Sequence, residues 1–258
     1  MAAAPSMSGK GMLFVNSRIS RPDILDEATF MKWYQDDHIT EIMQTSGIHS
    51  ARRFVDINPK ADKPYLAIYP LDDIEFTQTD EFRNIRVESD MLPPPGLIYN
   101  LADFDVRYDN LIHVYDTTRR GKGATKSLLV AKVELDDRVS ADEFDQWYRD
   151  EHCPLISRSK GYLRSTRFKL VYARTNAQSR VLKGLASLTN EPSPQQPTWL
   201  SLHEFECEPE EIDLVKLSSL TSTPMCEKMA SHFKECDVIV YKLIREFGEK
   251  DWFHRVEM

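Results

Sequence analysis

The sequence predicts an α+β fold, with two tandem ferredoxin-like β-α-β-β-α-β repeats forming a pseudo-dimeric α/β barrel. Three observations lead there. The stretch FMKWYQDDHI (residues 30–39) returns as FDQWYRDEHC (residues 144–153), an offset of 144 − 30 = 114. Both copies stand in the same order of strand-like and helix-like segments. The strands also alternate so that each sheet offers two faces to bury, one under helices and one against the other repeat.

Between residues 30–54 and 144–168, nine of 25 positions are identical. They are Phe30/Phe144, Trp33/Trp147, Tyr34/Tyr148, Asp36/Asp150, His38/His152, Ile42/Ile156, Gly47/Gly161, Arg53/Arg167 and Phe54/Phe168. With only four tryptophans in 258 residues, two falling in register point to a duplication.

Each copy opens with an apolar strand, MLFVNSRI (12–19) or SLLVAKVEL (127–135). A helix follows. Asp26 and Ser140 suit its N-cap, and Ser140 with Glu143 has the spacing of a capping box. Gly47 and Gly161 fit its end. A second strand is SARRFVDI (50–57) or RSTRFKLVYA (164–173), and a third is YLAIY (65–69) or WLSLHEF (199–205). The second helix is weaker, over 80–88 and 213–233, the latter interrupted near Pro224. Closing strands begin at Asp105 and Asp237. Residues 1–10 read as a flexible N-terminus, 11–115 as the first repeat and 116–126 as a polar linker. Residues 127–248 read as the second repeat, with a long loop at 174–198, and 249–258 as a C-terminal tail. RVLKGLA (180–186) in that loop can form a short helix. The loop is either a lid or a surface excursion.

In the first strand Leu13, Val15 and Ile19 alternate with Phe14, Asn16 and Arg18. In the third, Leu66 and Ile68 alternate with Tyr65, Ala67 and Tyr69. The second copy repeats this with Leu200 and Leu202 against Trp199, Ser201 and His203, and with Lys132 at the place of Arg18. The aliphatic set suits the helix side. The mixed aromatic and polar set suits a barrel interior that holds a ligand.

A net charge of −8 without a basic block argues against nucleic acid and anionic membrane surfaces. The start of the chain lacks a signal-peptide pattern, and no apolar run approaches the ~20 residues of a membrane helix. Four cysteines without a Cys-x-x-Cys pair suggest neither zinc nor a disulfide framework. A soluble cytoplasmic protein is expected, as a monomer or a homodimer. No Gly-x-Ser-x-Gly elbow is present, so nucleophilic catalysis has little support, and no phosphate-cradling glycine motif is present, so nucleotide cofactors are not expected.

On a regular helix Phe30, Trp33, Tyr34, His38 and Ile42 form one stripe toward the sheet, and Asp37 and its counterpart Glu151 lie within it. The aromatic residues read as core. The histidines read either as satisfied core residues or as groups reaching a ligand cavity. Pro154 biases Cys153 away from helix, which places His152 in the last turn, where the dipole and Glu151 favour imidazolium.

At WYxD(D/E)H, and DEHCP in the second copy, the sequence resembles the EthD-like branch of the dimeric α/β-barrel superfamily. The resemblance covers both repeats. One departure is Thr40 where the second copy has Pro154. The resemblance implies a barrel made here from one chain. It also implies chemistry like that of decarboxylases, cyclases, cofactor-free monooxygenases and haem-handling branches, with fungal proteins of secondary metabolism nearest in kind.

These readings converge on a cofactor-independent enzyme of small-molecule metabolism, of acid/base lyase or cyclase type. Its substrate is a hydrophobic polyketide- or terpenoid-like molecule. The alternatives are a non-catalytic binder of such a molecule and a cofactor-free monooxygenase. The candidate catalytic residues are His152, His38, Glu151 and Asp37. Candidate substrate-binding residues are Arg18, Lys132, Tyr69, Trp199, His203, Tyr34 and Tyr148. No metal site is expected.

Overall fold

Eight strands hydrogen-bond in the order β1-β3-β2-β8-β5-β7-β6-β4 and close into an antiparallel barrel, which with its helices is of the α+β class. The structure is a computed structural model and describes residues 7–186 and 189–248. The expected N-terminal segment falls partly outside these residues, and the expected C-terminal tail does so entirely.

The strands are β1 (Gly11–Ile19), β2 (Ala51–Asp56), β3 (Tyr65–Leu71), β4 (Ala102–Tyr115), β5 (Ser127–Leu135), β6 (Tyr162–Arg174), β7 (Trp199–Phe205) and β8 (Phe233–Phe247). The helices are α1 (Glu27–Lys32), α2 (Ile39–Ile42), α3 (Asp80–Arg83), α4 (Ala141–Trp147), α5 (Cys153–Ile156), α6 (Asn176–Leu182), α7 (Leu214–Thr221) and α8 (Pro224–Ala230). The chain forms two compact units. Of the described residues, the first contains 7–110, 170–186, 189–196 and 244–248, and the second contains 111–169 and 197–243.

In the first unit Asp26 caps α1 by accepting from the Thr29 N–H. The helix is too short to persist alone, so packing holds it. Phe30 meets Tyr34 edge-on at 5.6 Å and Tyr65 at 5.1 Å, and burial of such a ring contributes about 1.5–3 kcal/mol. Gly47 follows α2 because a Cβ there would stand 2.2 Å from the Phe76 ring. The second helix expected over 80–88 is one turn, α3, capped by Thr79.

In the second unit Ser140 accepts from the Glu143 N–H and caps α4. The Glu143 carboxylate does not complete a capping box; it pairs with Lys228. Phe144, Trp147 and Tyr148 pack with Val133, Leu135 and Trp199. Gly161 has φ +76°, a left-handed turn that L side chains rarely adopt.

The register corrects one face assignment. Leu13 lies opposite Tyr69 and Val15 opposite Ala67. Directly paired residues of an antiparallel ladder project to the same face. Tyr65, Ala67 and Tyr69 therefore join Leu13, Val15 and the helices in one core. Leu66 and Ile68 take the opposite face. In the second unit Trp199 likewise joins the helix-side core, while Leu200 lies opposite Lys132. In β3 and β7 the aromatic set thus lies under the helices and the aliphatic set does not, whereas in β1 the aliphatic Leu13 and Val15 lie on the helix side as expected.

Candidate functional site

The helix-bearing side of the first unit holds a cleft of about 620 Å³, counted out to its open mouth. Apolar walls come from residues such as Leu13, Val15, Ile42, Phe82 and Val106. The polar groups on it are Tyr34, His38, Tyr69, Tyr99, Arg174 and Lys183. A mostly apolar cleft with few polar groups is the usual form of a small-molecule site.

A π-helical turn sets His38. The helix is not regular, as expected from sequence, but widens over Trp33–His38, where the Ile39 N–H donates to the Tyr34 carbonyl five residues back. On an α-helix, residues five apart stand about 5 × 100 − 360 = 140° apart. Here His38 stacks on Trp33, with ring centroids 5.0 Å apart and planes at 18°. Single π turns often mark functional sites. Burial, then Lys183 and Arg53, lower the His38 pKa to about 3, so the ring is neutral at pH 7. Its Nδ1 is buried and has no hydrogen-bond partner.

Beside it, the Tyr69 hydroxyl donates to the Tyr34 hydroxyl at 3.4 Å. Burial raises both phenol pKa values, so both stay protonated. The Arg53 guanidinium lies 3.7 Å from the centroid of the Tyr34 ring. Arg174, at the end of β6, is 6% exposed and lies 5.2 Å from the Tyr108 ring.

The 174–198 segment supplies part of the cleft and contains α6, which Thr175 and Gln178 start with a capping box. The expected short helix therefore begins four residues earlier. Lys183 donates to the carbonyls of Phe82, Arg83 and Ile85 at 3.2, 2.8 and 2.7 Å, closing the end of α3. Burial and then Arg174 lower its pKa to about 8. Lys183→Met removes these bonds. Charged hydrogen bonds contribute about 1.5–3 kcal/mol each. The variant is expected to be cut several-fold faster by trypsin within 174–198. Unchanged cleavage would count against the clasp.

The second unit has the equivalent π turn, Tyr148–His152, in which the Cys153 N–H reaches the Tyr148 carbonyl. His152 packs against Trp147 at 4.6 Å and lies 6.2 Å from His203. His203 Nδ1 is 2.7 Å from the Ser165 hydroxyl, which is 2.8 Å from that of Tyr162. Tyr162 in turn donates to the Tyr115 carbonyl. Contrary to the sequence reading, the helix runs on through Pro154 in α5. A π turn accommodates the missing N–H, so His152 is not at a helix end. Burial, with Arg167, lowers its pKa to about 4, the opposite direction to that expected.

The other sequence candidates are scattered. Tyr34, Tyr69 and His38 share the first unit's cleft. Asp37 does not turn into the stripe but pairs with Arg86 at 3.4 Å, while the Glu151 carboxylate accepts from Thr223. Arg18 is not in the cleft; it is half-exposed and pairs with Asp62 and Asp103. Lys132 lies opposite Leu200 and Asp237, away from the helix side. Trp199 packs on Phe144 at 5.3 Å, and Tyr148 lies under Arg167 at 3.9 Å. Sequence reasoning passed over Arg174, Lys183 and Tyr99. Arg53 was visible only as one of the nine repeated identities. Among the described residues no cluster of three His, Cys, Asp or Glu could hold a metal ion, and no helix is long and apolar enough to cross a membrane.

An α+β barrel with a helix-side cleft is thus what the residues define. No family model matches the chain. It is 24% identical over 198 residues to core atranone cluster protein 1 of Stachybotrys chlorohalonatus, covering 76% of this chain and 82% of that one. A candidate monooxygenase of Fusobacterium nucleatum superposes with a TM-score of 0.57 and 9% identity, covering 98% of this chain and 99% of that one. An anthrone oxidase-like protein gives 0.53 and 9%, covering 95% and 94%. Likeness at such identity shows the fold alone.

Proposed function

We propose that the chain is a cofactor-independent acid/base enzyme of secondary metabolism, of lyase or cyclase type. In this reading it is built from two tandem ferredoxin-like repeats and acts on a hydrophobic polyketide- or terpenoid-like substrate in the first unit's cleft. The observation that carries this is His38, which is neutral, lines an apolar cleft, and has a buried Nδ1 without a partner.

A neutral imidazole can accept a proton from an acidic C–H. The electron pair then stays on the substrate as an enolate, and Arg174, which lines the same cleft, is the cation assigned to its oxygen. A base with a pKa about 3 is weak in the empty cleft. The new enolate beside it stabilises the imidazolium, so abstraction and anion formation support each other. Elimination or ring closure follows from the same anion. The atranone-cluster relative supports the metabolic setting.

A second reading, cofactor-free monooxygenation, begins with the same step and continues by reaction of the enolate with dioxygen. The structural neighbours, a candidate monooxygenase and an anthrone oxidase-like protein, favour it.

Anthrone, an enolisable tricyclic ketone, serves as the probe in D₂O. The protein is expected to speed deuterium uptake at its methylene, and His38→Gln to slow it by about 10²–10⁴-fold. If the two proteins exchange the proton equally fast, His38 is not the base. Oxygen uptake matching anthrone loss selects the monooxygenase reading. Binding without exchange leaves a carrier.

A further inference from the structure

The two π-turn sites differ in what surrounds their buried arginine: Asp145 and Arg149 in the second stand where Met31 and Gln35 stand in the first. In the second unit Arg167 is buried over Tyr148, and its guanidinium pairs with Asp145, which also accepts from Arg149 at 2.6 Å. In the first unit Arg53 is buried over Tyr34 in the same way. The position 114 before Asp145 is Met31. Its Sδ is 3.3 Å from Arg53 Nη2, and Nε and Nη1 have no hydrogen-bond partner. Among the described residues no carboxylate forms an ion pair with Arg53.

Arg174 adds a second buried guanidinium on the cleft wall. Its Nε is unpartnered, and it too lacks a carboxylate among the described residues. The nearby acids are engaged elsewhere, since Asp37 and Glu41 both pair with Arg86. Lys183 is satisfied by carbonyls. A buried cation without counter-charge is costly, and a ligand that supplies the charge recovers that cost on binding.

We propose that the first unit's cleft is an organic-anion site for an apolar molecule bearing one carboxylate or enolate, with Arg174 as its direct partner. Arg53 acts through Tyr34 as a positioning residue, and Met31 keeps it unpaired. The inference rests on the cleft being the substrate site, not on the chemistry of His38.

The test is calorimetric titration of the full chain at pH 7 with 2-naphthoate and its neutral isostere 2-naphthamide. The protein is expected to bind the anion at least about tenfold tighter, as one charge a few ångströms away produces at an effective dielectric near 20. Met31→Asp, which restores the acid of the other unit, is expected to reduce that preference about tenfold. Met31→Asn, of the same size without the charge, keeps it. Arg174→Gln abolishes it, which keeps the test open should Met31→Asp fail to fold. No binding of 2-naphthoate, equal affinity for both probes, or a preference untouched by Arg174→Gln or by folded Met31→Asp overturns the proposal. No turnover enters the measurement, so failure of His38 as a base and failure of the anion site are separate results.

Discussion

Replacing Arg164 by methionine is expected to destabilise the protein by about 3–5 kcal/mol, the cost of breaking a buried ion pair from one side. Arg164 and Glu204 lie opposite each other on β6 and β7 and are both buried. The guanidinium Nε stands 3.2 Å from the Glu204 carboxylate, as an ion pair rather than an aligned hydrogen bond. Its Nη1 donates to the Arg120 carbonyl at 2.6 Å and approaches Asp116 at 3.4 Å. The Thr125 hydroxyl donates to the other side of the network at Glu204. Methionine fills much of the space but leaves Glu204 as a buried anion without this cation. Arg164→Met/Glu204→Gln removes that charge and is expected to recover at least half of the loss, because the penalty lies in the orphaned carboxylate more than in the missing attraction. Urea unfolding of the three proteins checks this. A single-variant loss below about 1 kcal/mol would place the pair with ordinary surface bridges.

The order of strands and helices was legible because it rests on period and caps. Residues 127–135 and 199–205 match β5 and β7 end to end, and Asp26 and Ser140 cap α1 and α4. The faces of β3 and β7 were not legible. Alternation gives the two sets but not which set is covered by helices; only the pairing of Leu13 with Tyr69 decides that. The π turn was hidden for a related reason. Trp33 and His38 are five apart, a spacing that scores against contact on a regular helix. The repetition of Trp-Tyr-x-Asp-(Asp/Glu)-His coincides with the two π turns but does not show their geometry. Arg174 and Lys183 come from outside the repeated stretch, and the chain reaches the cleft with them only after β6 and α6 are in place. The contrast between Met31 and Asp145 was in the alignment from the start. It acquired meaning once Arg53 and Arg167 were seen to be buried over equivalent tyrosines.

Stability is expected to fall steeply as pH drops from 6.5 to 5, before carboxylates contribute. His38 and His203 are held near pKa 3 and His152 near 4, each chiefly by burial of the ring. In the unfolded chain each returns to about 6.5. The sign follows from proton counts. Between the two values the unfolded chain binds more protons, so each histidine's contribution is complete above pH 6.5 and is lost as the pH falls toward 3–4. One such group steepens the loss by up to about 1.4 kcal/mol per pH unit. Against a total stability of about 5–15 kcal/mol, three of them are decisive. Asp136 and Asp145, held low by Arg138 and by Arg149 and Arg167, add a separate acid loss only nearer pH 4, where unfolded aspartates take up protons. His203 isolates the effect because it lies outside the first unit's cleft. Asparagine in its place keeps a polar partner for Ser165 and cannot titrate. Urea unfolding at half-unit steps from pH 7 to 5 should give His203→Asn a slope shallower by up to about 1.4 kcal/mol per pH unit. An unchanged slope would mean that His203 is already protonated in the folded chain, satisfied through Ser165 and Tyr162 in spite of its burial.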